Sequence, residues 1–180
     1  MNLFSLKRQS PGANGISIKN AGIVLLNNYI PMLFERLKLT DRYKFPNIQS
    51  QHQAANVLHY LMTGNSIEQQ DDLHLIKVLC GLPLSEQIEQ LPSIPENDKE
   101  LMNNVLTAMI ANWPAIGLSS IDLLRENWLL RNGSLVEHSC EWELHIEKRS
   151  YDVIINRSPF TFSVVKFPWM DNTLHVYWKY

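Results

Sequence analysis

The chain has 180 residues, of which 45% are hydrophobic and 19% are charged, with 16 basic and 18 acidic side chains. The apolar fraction excludes wholesale disorder, and the balance of charge excludes a nucleic-acid binder or a membrane-surface protein that depends on bulk positive charge. The charged fraction is below the roughly 25% of an average soluble protein, so we expect part of the surface to be hidden in an assembly.

The N-terminal region combines a polar leader with a first helix. Residues 1–17 are polar and rich in turn-forming residues, and we expect them to be a flexible leader or a linker. A helical period follows and predicts a first helix over residues 21–39. Pro31 lies inside this pattern and predicts a kink or a break just before it, because proline lacks an amide donor and crowds the preceding turn.

The second and third helices are predicted from their apolar stripes and their end signals. The second helix is predicted over residues 49–63, and Gly64 after it suits a left-handed helix end. The third is predicted to begin at Ser66, because Ser66 and Gln69 fit a capping box, and to stop at Gly81.

Two more helices complete the helical part of the chain. The fourth is predicted to run from about Pro95 to Trp113, and the fifth to start after Ser119 or Ser120 and to end at Asn132. The inward-facing residues of the fourth helix are predicted to be Leu101, Val105, Ala108 and Met109.

The period then changes from helical to alternating. Residues 141–147 alternate strictly between polar and apolar side chains, which predicts a half-buried antiparallel strand. Further strands are predicted at 151–155, 160–164 and 174–178, with a short extra strand at 135–136.

Helices first and strands afterwards predict an α+β fold. The prediction is an N-terminal bundle of about five helices followed by a small antiparallel β-meander of about four strands. Residues 18–180 are predicted to form a single domain, with a helical part at 18–132 and a sheet part at 133–180.

The sequence contains no motif for a catalytic site, a cofactor or a metal ion. Cys80 and Cys140 belong to no cysteine pair motif, and no two histidines have the helical spacing of a metal-binding pair. The sequence therefore indicates no enzyme, no cofactor, no metal and no small-molecule substrate. The cluster that an enzyme would have to use comprises His138, Cys140, Glu141 and Glu143.

Aromatic residues are concentrated towards the C-terminal end of the chain. A bulky apolar turn at residues 167–170 is costly to expose, so either Trp169 folds back over the core or the turn contacts a partner. The last strand has aromatic residues on both faces, which predicts a strand covered on both faces or an edge that pairs with another subunit. The candidate interface residues are Phe167, Pro168, Trp169, Met170, Tyr177 and Trp178.

Short blocks in a fixed order along the chain resemble one protein family. Ile18–Leu26 resembles the family's NAGLVLL opening, and Leu79–Leu84 resembles its LCGLPL block. The other matching blocks are Phe34–Leu37, Asn112–Ala115, Leu124–Gly133, Tyr151–Val153, Ser158–Phe160 and Lys166–Met170. Over about residues 16–180 the chain is similar to the contractile injection system tape measure proteins of phage-tail-like particles.

The resemblance implies a structural role in particle assembly. A tape measure protein lies in the lumen of the inner tube during assembly and sets the number of tube rings, and its terminal region is expected at the baseplate end. The implied partners are inner-tube, baseplate hub or spike proteins and sister copies, with no nucleic acid and no membrane. The implied location is the bacterial cytoplasm during assembly and then the particle.

The predicted helices of this chain are too short to set the length of a tube. A helix supplies only ~1.5 Å per residue, and the sequence contains no long uninterrupted heptad segment. The chain is therefore expected to be either the terminal domain of a longer protein or a short member that anchors or nucleates without measuring. A soluble assembly chaperone or adaptor is the alternative function, and an effector enzyme loaded by the particle is a further one.

Overall fold

The computed structural model describes residues 15–70 and 72–179 of the chain. Helices come first and most strands come afterwards, which confirms the predicted α+β class. Of the predicted leader at 1–17, the first fourteen residues lie outside the described residues. Ile16–Ile18, at its end, form a first strand, β1, that the sequence patterns did not predict.

The first predicted helix is divided in two. A 3-10 helix covers Ala21–Leu26, and helix α1 covers Ile30–Arg36. Pro31 lies in the first turn of α1, where its missing amide donor would have no helical partner in any case. The break predicted just before Pro31 is confirmed.

Helix α2 has the predicted bounds within one residue. It covers Ile48–Thr63 and begins at Asn47, whose side-chain oxygen accepts a hydrogen bond from the Ser50 amide at 2.9 Å. Gly64 ends it in the left-handed conformation with φ of 74°.

Helix α3 is much shorter than predicted and covers His74–Leu79. The predicted start at Ser66 is wrong, because the segment before α3 bonds to a distant loop instead of forming a helical turn. The Gln70 side chain donates to the Ile88 carbonyl and accepts from the Ile88 amide, both at 3.0 Å. These two bonds hold the segment in a non-helical conformation.

Helix α4 covers Glu96–Asn112 as predicted, but it is rotated about its axis. Three of the four residues predicted to face inward, at positions 101, 105 and 108, line a groove beside α1 and are only partly buried. The longer side chains one position further along are inside instead, because they remove more apolar surface from water. The buried residues of α4 are Met102, Leu106 and Met109.

The last helical segment changes its hydrogen-bond pattern partway. After a short 3-10 helix at Pro114–Ile116, helix α5 covers Ile121–Leu124 and continues as a π-helical turn at Arg125–Leu129. The Ser120 hydroxyl accepts from the Leu123 amide at 3.2 Å and caps the start of α5, so Ser120 is the cap of the two predicted serines.

Five strands form one mixed sheet in the described part of the chain. After β1 come β2 at Gly133–Glu137, β3 at Glu141–Ile146, β4 at Val164–Val165 and β5 at Thr173–Trp178. Their order across the sheet is β1–β2–β3–β5–β4. β3 and β5 are parallel, whereas the other neighbouring pairs are antiparallel.

The predicted antiparallel meander of about four strands is therefore wrong. The strand predicted at 151–155 is a 3-10 helix at Asp152–Arg157, and the one predicted at 160–164 is reduced to the two residues of β4. The chain between β3 and β5 is a crossover, which brings β5 back parallel to β3. Local alternation of side chains cannot reveal this, because it is the same in parallel and antiparallel strands.

Gly22 marks the closest contact between the N-terminal 3-10 helix and the π-helical turn. A Cβ atom at this position would overlap the Trp128 carbonyl oxygen and lie 2.9 Å from the Leu129 Cα atom. Both neighbours are backbone, so neither can move aside by changing a rotamer. Only glycine allows the two segments to pack at this distance.

We expect Gly22→Ala to lower the free energy of unfolding by roughly 3 kcal/mol or more, because overpacking against backbone forces the two segments apart. Urea denaturation followed by circular dichroism measures this change. Thr107→Ala, at an exposed position of α4, is the matched control and should change stability by less than about 0.5 kcal/mol. Equal stability of the two variants would contradict the packing assignment.

Candidate functional site

The apolar turn at residues 167–170 folds back onto the protein. Phe167 and Met170 are buried, and the Met170 amide donates to the Phe167 carbonyl at 3.0 Å to close the turn. Trp169 is half-buried and Pro168 is exposed. The folding back of Trp169, one of the two alternatives raised by the sequence, is the arrangement observed.

Trp169 joins the turn to the helical part of the chain. Its indole nitrogen donates to the Leu79 carbonyl at 2.8 Å, at the end of α3. Its ring centroid lies 5.4 Å from that of Phe34 and 5.1 Å from those of Phe45 and Phe167. Aromatic rings at these distances attract one another beyond the area that they bury.

Gly81 permits the close approach of this turn. It has a φ of 68°, and a Cβ atom there would lie 2.5 Å from the Trp169 carbonyl oxygen. The Leu79–Leu84 block and the Lys166–Met170 block, far apart in sequence, thus meet in one contact.

The two aromatic residues of β5 lie on opposite faces of the sheet. Tyr177 is 46% exposed and stacks on His145 of β3, with ring centroids 4.8 Å apart and planes 10° apart. Trp178 faces the interior and is buried. Of the six candidate interface residues, Pro168 and Tyr177 are therefore exposed, whereas Phe167, Met170 and Trp178 contact the protein's own core.

A fully buried ion pair lies beneath this end of the sheet. Arg131 and Asp152 are both 0% exposed, and the guanidinium contacts both oxygens of the carboxylate. The Trp178 indole nitrogen and the Arg149 amide each donate to the same carboxylate at 2.9 Å. All of these donors converge on one acidic group, which has no exposed surface.

The ion pair lies next to one end of the sheet and links the chain segments that meet there. Gly133 of β2, Ile146 of β3 and Trp178 of β5 are neighbours across one row of the sheet. Arg131 precedes β2, and Asp152 follows β3. The ion pair therefore holds together the end of the sheet where the crossover leaves β3 and where β5 finishes.

Three aromatic rings surround the guanidinium of Arg131. Its central carbon lies 5.3 Å from the ring centroid of Trp128 and 5.2 Å from those of Tyr151 and Trp178. The guanidinium also donates to the Asn127 carbonyl at 2.8 Å through Nε. The arginine is thus solvated by ring faces and backbone oxygens in place of water.

The pKa of Asp152 reflects two opposing effects. Burial raises the pKa of the carboxyl, but the hydrogen bonds from Arg131, the Arg149 amide and Trp178 outweigh burial and lower it below its ordinary value of 3.8. Asp152 is therefore ionised at neutral pH and serves as the counter-ion of Arg131.

Lys77 is a third buried charged residue that the sequence patterns missed. Its side chain is buried in α3, and its amine donates to the Leu84 carbonyl at 3.1 Å. Burial lowers the pKa of this amine. The contact ties the loop after α3 to the helix.

Arg131 and Asp152 lie within sequence blocks that resemble the family. The sequence does not show that the two residues pair with each other, and only the fold reveals it.

The polar cluster that an enzyme would have to use lies on the outer face of the sheet. Glu143 accepts from His145 at 3.1 Å, and His138 lies 3.5 Å from the same oxygen. The His145 hydrogen bond, with help from His138, lowers the pKa of Glu143. Cys140 is exposed. These contacts are ordinary pairs on the protein surface. They lower the pKa of Glu143, whereas a carboxylic acid that serves as a general acid needs a raised pKa.

Residues 15–70 and 72–179 contain neither a cluster of metal-binding side chains nor a membrane-spanning helix. No group of three histidine, cysteine, aspartate or glutamate side chains in these ranges is placed to hold a metal ion. No helix in the same ranges combines the length and the apolar character that crossing a membrane requires.

Comparison with known proteins gives one match. The family model of the contractile injection system tape measure protein matches residues 5–178. Comparison with curated proteins and with solved structures returned no match.

We expect Asp152→Asn to lower the free energy of unfolding by about 3–5 kcal/mol, because it leaves the buried charge of Arg131 without a counter-ion. Chemical denaturation at pH 7 measures this loss. The double variant Arg131→Met with Asp152→Leu removes both charges and should be more stable than Asp152→Asn. If the double variant were the less stable one, the uncompensated charge would not be the cause.

The stability of the wild type should also fall in acid through this carboxylate. Because the pKa of Asp152 is lower in the folded state, its contribution is complete above the ordinary value of 3.8 and is lost as the pH falls below it. The difference in unfolding free energy between wild type and Asp152→Asn should therefore shrink as denaturation is repeated from pH 7 down to pH about 3. A constant difference would contradict the lowered pKa.

Proposed function

This chain belongs to the contractile injection system tape measure protein family, whose members are structural components of contractile injection particles, and we propose that it docks at the baseplate and spike end of the inner tube. Its partners in this role are inner-tube proteins, the baseplate hub or spike, and sister copies. It assembles in the bacterial cytoplasm and remains in the finished particle.

The extent of the family match is the observation that carries the proposal. The match runs from residue 5 to residue 178 and covers the helices and the sheet alike. The similarity to the family therefore extends over all the described helices and strands and is not limited to a small set of polar residues. A protein whose role is to hold other proteins in place depends on such a fold.

Contacts between matching blocks support a rigid docking role. Leu79–Leu84 packs against Lys166–Met170 through Gly81 and Trp169. The block containing Arg131 joins Tyr151–Val153 through the buried ion pair. These contacts connect the helices to the sheet, so the blocks that resemble the family are those that fix its shape.

The described helices are too short to measure a tube. Helix α4, with 17 residues, spans only about 25 Å at ~1.5 Å per residue. We propose that the described fold anchors or nucleates tube assembly at one end and does not itself span the length that is measured.

Deletion of the gene should abolish particles or leave tubes of unregulated length, because the anchoring component is missing. Electron microscopy of purified material measures particle number and tube length. Expression of the wild-type chain in the deletion strain should restore both, as should the control variant Thr107→Ala. Normal particles in the deletion strain would refute the proposal.

Mass spectrometry of purified particles separates this proposal from the alternative of an assembly chaperone or adaptor. A structural component should be recovered at a fixed ratio to the tube and baseplate proteins. A chaperone would be required for assembly but would be missing from finished particles. Absence from otherwise normal, purified particles would favour the alternative.

A further inference from the structure

We propose that the open edge of β4 and the cleft beside it bind an extended, acidic segment of another particle protein by strand addition. This inference rests on the proposed function, since it specifies the chemistry of one docking partner. Strand addition at an exposed sheet edge is a common way for a protein to bind a peptide segment.

The register of β4 leaves backbone groups unpaired at this edge. Val164 lies opposite His175, and the Val176 amide donates to the Ser163 carbonyl at 2.8 Å. Because hydrogen-bonded and non-hydrogen-bonded positions alternate in an antiparallel pair, the amide and carbonyl of Val164 point away from β5. β4 is the outer strand of the sheet in the described residues, so these groups are available to an added strand.

A cleft of about 450 Å³ lies directly beside this edge. One wall is formed by Asn27, Asn28, Pro31 and Tyr43, and the other by Thr161 and the segment 164–168. Two large apolar side chains in these walls are exposed, Tyr43 at 49% and Val164 at 57%. A segment that occupies the cleft would cover both, because both side chains line it.

The charged side chains at the cleft are mostly basic, although the whole chain has a net charge of −2. Lys166 lines the cleft, and Arg42 and Lys44 flank the lining residue Tyr43, next to one acidic residue, Asp41. The nearby Glu35 already accepts bonds from the Thr40 hydroxyl at 2.6 Å and the Tyr43 amide at 2.8 Å. The charge that remains favours an acidic partner over a basic one.

The loop that presents Tyr43 is held in an unusual backbone conformation. Lys38, Arg42 and Tyr43 have φ values of 59°, 50° and 60°, in the left-handed region that these residue types rarely occupy. The bonds from Glu35 stabilise this conformation and keep Tyr43 at the cleft. Such strain persists where the surrounding structure imposes it, and it is concentrated at binding sites.

A short peptide tests the inference on the full-length protein. The probe is a fluorescein-labelled seven-residue peptide in which glutamate alternates with valine, and its binding is followed by fluorescence anisotropy. It should bind at least roughly tenfold more tightly than the same peptide with lysine in place of glutamate. It should also bind more tightly than a version with a central proline, which cannot complete the strand pairing, and raising the salt concentration should weaken it.

Variants of the protein identify the surface that binds. Val164→Pro removes the outward amide without touching a bond to β5, and the double variant Arg42→Glu with Lys44→Glu reverses the charge; each should weaken binding at least roughly tenfold. Val153→Ala and Lys148→Glu, at exposed positions outside the cleft, are the matched controls and should bind as the wild type does. Circular dichroism shows whether each variant remains folded.

Three results would overturn the inference. The first is equal binding of the glutamate and lysine peptides, and the second is unchanged binding of the glutamate peptide to folded Val164→Pro. The third is self-association of the wild type, measured by sedimentation, that Val164→Pro abolishes. That result would mean that a second copy of this chain occupies the edge. The test is independent of the particle phenotype. Failure here leaves the deletion experiment unaffected, and normal particles after deletion would refute the proposed function whatever the peptide does.

Discussion

The buried ion pair between Arg131 and Asp152 is the interaction on which the C-terminal third of the structure depends. It lies at the row of the sheet where β2 begins and where β3 and β5 end, and Trp178 donates to the same carboxylate. One acidic group thus links the start of the crossover after β3 to the C-terminal end of β5, which runs parallel to β3. A buried pair of this kind adds little to stability in comparison with apolar packing, but breaking it is costly, so it favours one arrangement of the chain over others.

A second contact holds the segment before β5, at the opposite end of the sheet, to the helices. Trp169 packs among aromatic rings and donates to the end of α3, while Gly81 provides the space that its backbone needs. The apolar turn therefore stabilises the fold, and the exposed residues Pro168, Val164 and Tyr43 line the cleft beside it. This arrangement suits a component that must keep its shape while other proteins pack around it.

Much of the helical part could be predicted from local patterns, because capping, glycine ends and the 3.6-residue period depend on near neighbours. The break before Pro31 and the end of α2 at Gly64 are examples. The start of α3 could not be predicted, because Gln70 bonds to Ile88 across the following loop. For the candidate site, the sequence identified the apolar turn at 167–170 but left its burial open, since burial depends on the distant aromatic residues that surround it.

The sequence by itself determined the α+β class, most of the helical segments before the sheet, the alternation of β3 and β5, and the ordered blocks that indicate the family. Only the tertiary structure decided the direction of β5, the pairing of Arg131 with Asp152 and the open edge at β4. The physical reason is the range of the interactions. Side-chain periodicity is a property of one segment, whereas strand order, buried charge pairing and edge exposure arise from contacts between segments far apart along the chain.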